Sequence, residues 1–120
     1  MKIIIKRIYD EPKESDGKRI LVDRLWPRGL SKERAAIDLW SADIAPSTKL
    51  RQWFDHDPKK WEEFKRRYIK ELKENKLSIK KFKDYLFSFP CVTLVFAAKN
   101  LEFNHAIVLK AFLKQRLSQN

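Results

Sequence analysis

A chain of 120 residues with 43% hydrophobic and 12% aromatic side chains, but only two glycines and five prolines, can bury a core without disulfides or metals, and its composition excludes extended disorder and collagen-like repeats. One cysteine, Cys91, cannot form an internal disulfide, and the apolar opening Ile3 to Ile5 is far too short for a secretion signal or a membrane span. The expectation is one soluble domain over residues 1–120, cytoplasmic and without a membrane partner, carrying a net charge of +11.

Ile3, Ile4, Ile5 and Ile8 predict a β-branched strand over residues 2–9, with Arg7 and Tyr9 near its end. Asp10 to Lys18 is a polar connection holding Pro12 and the turn pair Asp16-Gly17. Its length suits a long hairpin and only just a parallel crossover, so the pairing of the first two strands stays open. Arg19 to Asp23 is a short buried strand through Ile20, Leu21 and Val22. It runs directly into Arg24, Trp26 and Arg28, crowded around Pro27. The proline fixes its own φ, holds Trp26 extended and stops any helix, and Gly29 lets the chain turn away.

Ser31 predicts the N-cap of a short helix. Asp38, Leu39 and Trp40 begin an irregular passage to Pro46, after which Ser47 or Thr48 caps a helix through Leu50, Trp53 and Phe54. Asp57 followed by Pro58 is a helix start signal, and the helix runs to about Glu74. Its Trp61, Phe64, Tyr68 and Leu72 recur at helical spacing as one core-facing stripe. Ser78 is read as the cap of a further helix carrying Ile79, Phe82 and Leu86. Cys91 to Ala97 is apolar with little alternation, as in a strand covered on both faces, and is the candidate sheet centre. Asn104 caps a last helix from His105 to about Leu117. The fold class expected is α/β: a small, mostly parallel sheet with strands near 2–9, 19–23 and 91–97, flanked by helices. Trp40, Trp53 and Trp61 read as core, His56 as a surface turn residue and Cys91 as a buried, inert thiol.

In a parallel sheet, ligands gather beyond the carboxyl ends of the strands, where loops lead into helix N-termini that favour anions. Three groups fall at strand ends: Arg7 with Tyr9; Asp23, Arg24, Trp26 and Arg28; and Lys99, Asn100, Asn104 and His105. If the strands are parallel, all face one crevice suited to a phosphate or carboxylate-bearing ligand; if the first two form a hairpin, Arg7 and Tyr9 leave it. Arg7, Arg24, Arg28, Lys99, Asn100 and Asn104 are the candidate anion-binding residues, and Tyr9 and Trp26 the candidate walls. Asp23 reads equally as a general base or as a structural ion-pair partner. His105 reads as a proton-transfer group or as a capping and packing histidine. The carboxylates are scattered and the two histidines distant in sequence, so neither a metal nor another cofactor is expected.

The charge lies largely elsewhere. Residues 59–83 hold eleven Lys or Arg against four Glu, either a solubilising surface or a nonspecific contact for nucleic acid, with no reader motif to choose between them. Three functions follow for test: an anion-binding domain, conceivably an enzyme on a phosphorylated or nucleotide-like molecule; a nucleic-acid-binding module; or a domain whose Arg24 and Arg28 dock a protein partner. The oligomeric state is left open.

The stretch S-D-G-K-R-I-L-V-D-R-L-W-P-R-G, with L-R-Q-W-F, the W-x-x-F-x-x-x-Y helix, F-A-A-K-N and N-H-A-I-V-L, resembles the YeaO-like branch of the bacterial domain of unknown function 488 family over nearly the whole chain. The resemblance implies a small cytoplasmic α/β domain with strands ending at Asp23 and Ala97, and favours the parallel arrangement; it supplies no reaction. Longer members of the wider family tend to carry a cysteine just before the histidine that corresponds to His105. Here that position is Asn104, so the resemblance carries no thiol chemistry to this chain.

Overall fold

The β-branched opening segment forms strand β1 (Lys2–Arg7) in the computed structural model, which describes residues 1–117. With β2 (Lys18–Leu21), β3 (Leu39–Trp40) and β4 (Cys91–Phe96) it builds a parallel sheet in the order β1-β4-β2-β3. The hairpin alternative is thereby excluded: β4 lies between the first two strands, in register Ile5 to Leu94 on one side and Ile20 to Leu94 on the other. All three expected strands end earlier than predicted, the last at Phe96 rather than Ala97, whose N–H goes to the Asp23 carboxylate. β1 stops at Arg7 because the chain turns at Tyr9, where Asp10 N donates to Arg7 O. The second stops at Leu21, and although Ile8 N and Val22 N still donate to Phe96 O and Val95 O, the ladder ends where the Asp23 carboxylate accepts from Ala97 N. The passage at Leu39–Trp40, expected to be irregular, is an edge strand two residues long.

Among the described residues five helices cover the sheet: α1 (Lys32–Ala35), α2 (Thr48–Phe54), α3 (Trp61–Glu74), α4 (Lys76–Leu86) and α5 (His105–Leu117). Ser31 and Ser47 cap α1 and α2 by accepting from the backbone N–H three residues on. Asp57 instead opens a 3-10 turn at Pro58–Lys60 that leads into α3. Ser78 is no cap, because α4 already begins at Lys76 directly after Asn75. Trp61, Phe64, Tyr68 and Leu72 are all buried, so the stripe on α3 faces the core.

Alternation along the strands divides the apolar residues between the two faces. Ile3, Ile20, Val22, Val92, Leu94 and Phe96 join α2, α3, α4 and α5 in the larger cluster. Ile8, Leu21 and Val95 meet Ala35 of α1 in a smaller one, against which Trp26, Leu30 and Ile37 pack. Trp40, expected in the core, is 43% exposed; it sits on an edge strand and donates its indole N–H to Asp23 O at 2.7 Å. Cys91 is half-buried rather than enclosed, because it starts β4 at the sheet margin.

Tyr68 ties the larger cluster to the segment before α2. Its fully buried hydroxyl donates to Ile44 O at 2.7 Å, and burial, with Glu71 and Asp23 nearby, pushes the phenol well above its ordinary pKa. Tyr68→Phe leaves that buried carbonyl without its donor and is expected to lower stability by about 1–2 kcal/mol, read from urea unfolding with an unchanged m-value. A midpoint equal to wild type would show that the hydroxyl contributes nothing net.

Candidate functional site

The loops leaving the carboxyl ends of the strands enclose a cleft of about 910 Å³, within the range of small-molecule sites. Of the residues singled out from the sequence, Tyr9, Asp23, Arg24, Trp26, Arg28, Lys99, Asn100, Asn104 and His105 line it. Arg7 does not. Its guanidinium donates to the carbonyls of Ala98 and Ala97 at 3.0 and 3.2 Å and lies over the Tyr9 ring, pinning the end of β1 to the chain leaving β4.

Several polar groups at the cleft are occupied by the fold. Arg24 donates Nε to Pro46 O and Nη2 to Ala45 O at 3.0 and 2.9 Å, which clamps the approach to α2 against the end of β2. The Asn100 side chain accepts from the N–H groups of Glu102 and Phe103, and Asn104, buried, accepts from Ile107 N and donates to Asn100 O. These two amides shape the β4–α5 loop and cap α5. By contrast, Arg28 and Lys99 are exposed, and neither side chain has a hydrogen-bond or ion-pair partner among the described residues. Arg28 is held by its backbone, where its carbonyl accepts from the Tyr9 hydroxyl at 3.0 Å.

Asp23 and His105 meet at the bottom of this arrangement. His105 Nε2 is 2.9 Å from Val22 O and 2.9 Å from Asp23 Oδ1. A carbonyl can only accept, so Nε2 carries the proton and Nδ1 keeps the lone pair in the neutral ring. That N–H is aimed at Val22 O, which leaves the enclosed Asp23 Oδ1 beside the imidazole but with no aligned donor among the described residues. The other carboxylate oxygen receives Ala97 N at 2.9 Å. Asp23 therefore joins the ends of β2 and β4 and fixes the charge environment of His105.

The apolar walls come from both sides of the sheet. Trp26 donates its indole N–H to Leu30 O at 2.7 Å and packs edge-on against Trp40 with ring centroids 5.5 Å apart. Phe54, Phe64 and Phe103, which pack with the larger cluster on the other face, also line the cleft, as do Arg51 and His56; none of these was read as part of a site. Phe54 and Phe64 belong to the helix stripes that also build the core, so their spacing signals burial and hides the second role. His56 at a turn looked like ordinary surface. Among the described residues no three His, Cys, Asp or Glu side chains gather as a metal-ligand set, and no helix is long and apolar enough to cross a membrane.

Residues 2–120 match the family profile described as the inactive DUF488-N3 subclade. The chain is 43% identical over 114 residues to the uncharacterized protein YeaO of Escherichia coli K12, covering 95% of this chain and 98% of that one. It is 36% identical over 115 residues to the uncharacterized proteins Rv3073c of Mycobacterium tuberculosis H37Rv and Mb3100c of Mycobacterium bovis, covering 96% of each chain in both comparisons. No solved structure matches.

Proposed function

This chain is a YeaO-like member of the DUF488 family and matches the profile described as its inactive DUF488-N3 subclade, and on that premise we propose that its strand-end cleft binds a small anionic molecule, of the phosphorylated or nucleotide-like class, without transforming it. The observation that carries the reading is the contrast among the cations. Arg7 and Arg24 are held by backbone carbonyls, whereas Arg28 and Lys99 line the cleft with no such engagement among the described residues. A guanidinium offers a fork of donors that suits a phosphate or carboxylate, and Lys99 adds a point charge. Trp26 supplies an apolar wall beside them. His105 lines the same cleft, with its Nε2 turned to Val22 O and Asp23.

The test is a thermal-shift and calorimetric titration with inorganic phosphate, adenosine monophosphate and short DNA and RNA, at low and moderate salt. A ligand held at a hundred times its Kd adds about 2.7 kcal/mol to the folded state. The doubly substituted Arg28→Ala, Lys99→Ala protein is expected to lose at least about tenfold in small-anion affinity, the scale of one charge-assisted contact, while its ligand-free melting stays that of wild type. Failure of every small anion to move the transition would overturn the reading. Shifts with polynucleotides alone, fading as salt rises, would move the function to α3 and α4, where Lys70, Lys73, Lys76, Lys80 and Lys81 are exposed and without ion pairs among the described residues.

A further inference from the structure

We infer that the cleft has a second anion subsite, formed by Arg51 and His56, and that its ligand carries two anionic groups separated by an apolar segment; this rests on the binding role proposed above and names the class of molecule. The two flanks follow from the fold. Arg28 lies two residues beyond Trp26, which packs with the smaller cluster on the α1 face of the sheet. Arg51 and His56 bracket Phe54, which packs with the larger cluster on the opposite face and stacks on Phe64 with centroids 4.2 Å apart. All six line one cleft. Cations therefore approach it from both faces, and the edges of the buried Phe54 and Phe64 rings line the same cleft.

The backbone at His56 adds an independent observation. Asp57 N donates to Phe54 O at 3.0 Å, closing a turn whose two central residues, Asp55 and His56, both have left-handed φ of 45° and 56°. Such turns favour Asn-Gly, and a non-glycine residue is held there against its backbone preference. Asp55 is accounted for as the αL cap of α2, since its N–H reaches Arg51 O. His56 has no hydrogen bond or ion pair among the described residues that would account for it; what its backbone achieves is to put an imidazole in the cleft wall. The ring can donate an N–H to an anion whether or not it carries charge. Arg51, exposed on the last turns of α2, likewise has no acceptor among the described residues.

The experiment compares phenylphosphonate, which carries one anionic group, with dianions of increasing span: pyrophosphate, benzene-1,4-diphosphonate and biphenyl-4,4′-diphosphonate. At least one aryl dianion is expected to bind about tenfold or more tighter than phenylphosphonate, the equivalent of one further charge-assisted pair. Arg51→Gln and His56→Gly should each return that dianion towards the affinity of phenylphosphonate while leaving phenylphosphonate binding unchanged. Arg28→Ala should weaken both. His56→Gly should melt no lower than wild type, because glycine relieves the turn, so its binding loss cannot come from unfolding. If phenylphosphonate binds through Arg28 but no dianion binds more tightly, or neither Arg51→Gln nor His56→Gly affects the dianion, the second subsite is refuted and the first stands. If no compound binds, both readings fall together.

Discussion

Gly17→Ala is expected to destabilise the fold by about 3–5 kcal/mol, from a strained backbone conformation and an overpacked contact acting together. Gly17 has φ 65° and ψ −139°, a region open to glycine and scarcely to any L side chain. A Cβ placed there would collide with Cys91 O and lie 2.8 Å from Cys91 C. Those atoms are backbone of β4, which is bonded on both sides by β1 and β2, so relief requires moving the centre of the sheet or the turn itself. The turn is also bolted down, because Thr93 Oγ1 donates to Asp16 O at 2.6 Å. Small domains are stable by about 5–15 kcal/mol, so the variant should unfold at a much lower urea concentration or fail to accumulate folded. A loss under about 1 kcal/mol would mean that the turn relaxes freely.

Asp16→Ala is expected to cost about 3 kcal/mol at neutral pH, towards the lower end for breaking a buried ion pair. Asp16 and Arg19 are 5% and 3% exposed, with Arg19 Nη1 2.7 Å and Lys6 Nζ 3.1 Å from the carboxylate. Truncation strands part of a buried guanidinium. The cost is moderated because Arg19 Nε and Nη2 keep the carbonyls of Ala36 and Ala35, and Lys6 keeps Glu11 O. Burial by itself would raise the Asp16 pKa, but the Lys13 N–H, Lys6 and Arg19 together hold it below the usual aspartate value. The folded-state value is thus the lower one, and the stability it confers is fully present above the unfolded pKa, about 3.9. It is lost as pH falls through the folded value. The stability difference between wild type and Asp16→Asn, from urea unfolding across the acid range, should be constant above about pH 5 and shrink below about pH 4. A difference that grew in acid would contradict this sign.

Much of the local structure was legible because its causes lie within one turn of chain. Ser31 caps the helix it was expected to cap, Ser47 rather than Thr48 caps the next, the α3 stripe is buried, and the Cys91 to Phe96 run, apolar on both faces, is an inner strand of the sheet. The family resemblance and the parallel sheet also stand. What escaped were features too short or too distant for a periodic signal. β3 is two residues long, and Trp40 is read as core by its size alone although an edge strand leaves it exposed.

The residues at the cleft show the same division more sharply. Their chemistry and their crowding at the ends of two strands are properties of adjacent letters in the chain, so the sequence by itself determined that Asp23, Arg24, Trp26 and Arg28 would emerge together, and that His105 would begin a helix. Which of those groups remain free is a long-range matter. Arg24 is occupied by carbonyls 21 and 22 residues away, Arg7 by carbonyls 90 and 91 away, and Asp23 meets Ala97 across 74. A guanidinium's availability depends on every acceptor that the folded chain brings within about 3 Å, and no window of sequence contains that information. Only the packed fold sets β4 between the first two strands and brings Arg51 and His56 into one cleft with Arg28, because strand order and shared cleft walls arise only when segments far apart in the chain pack to bury their apolar faces.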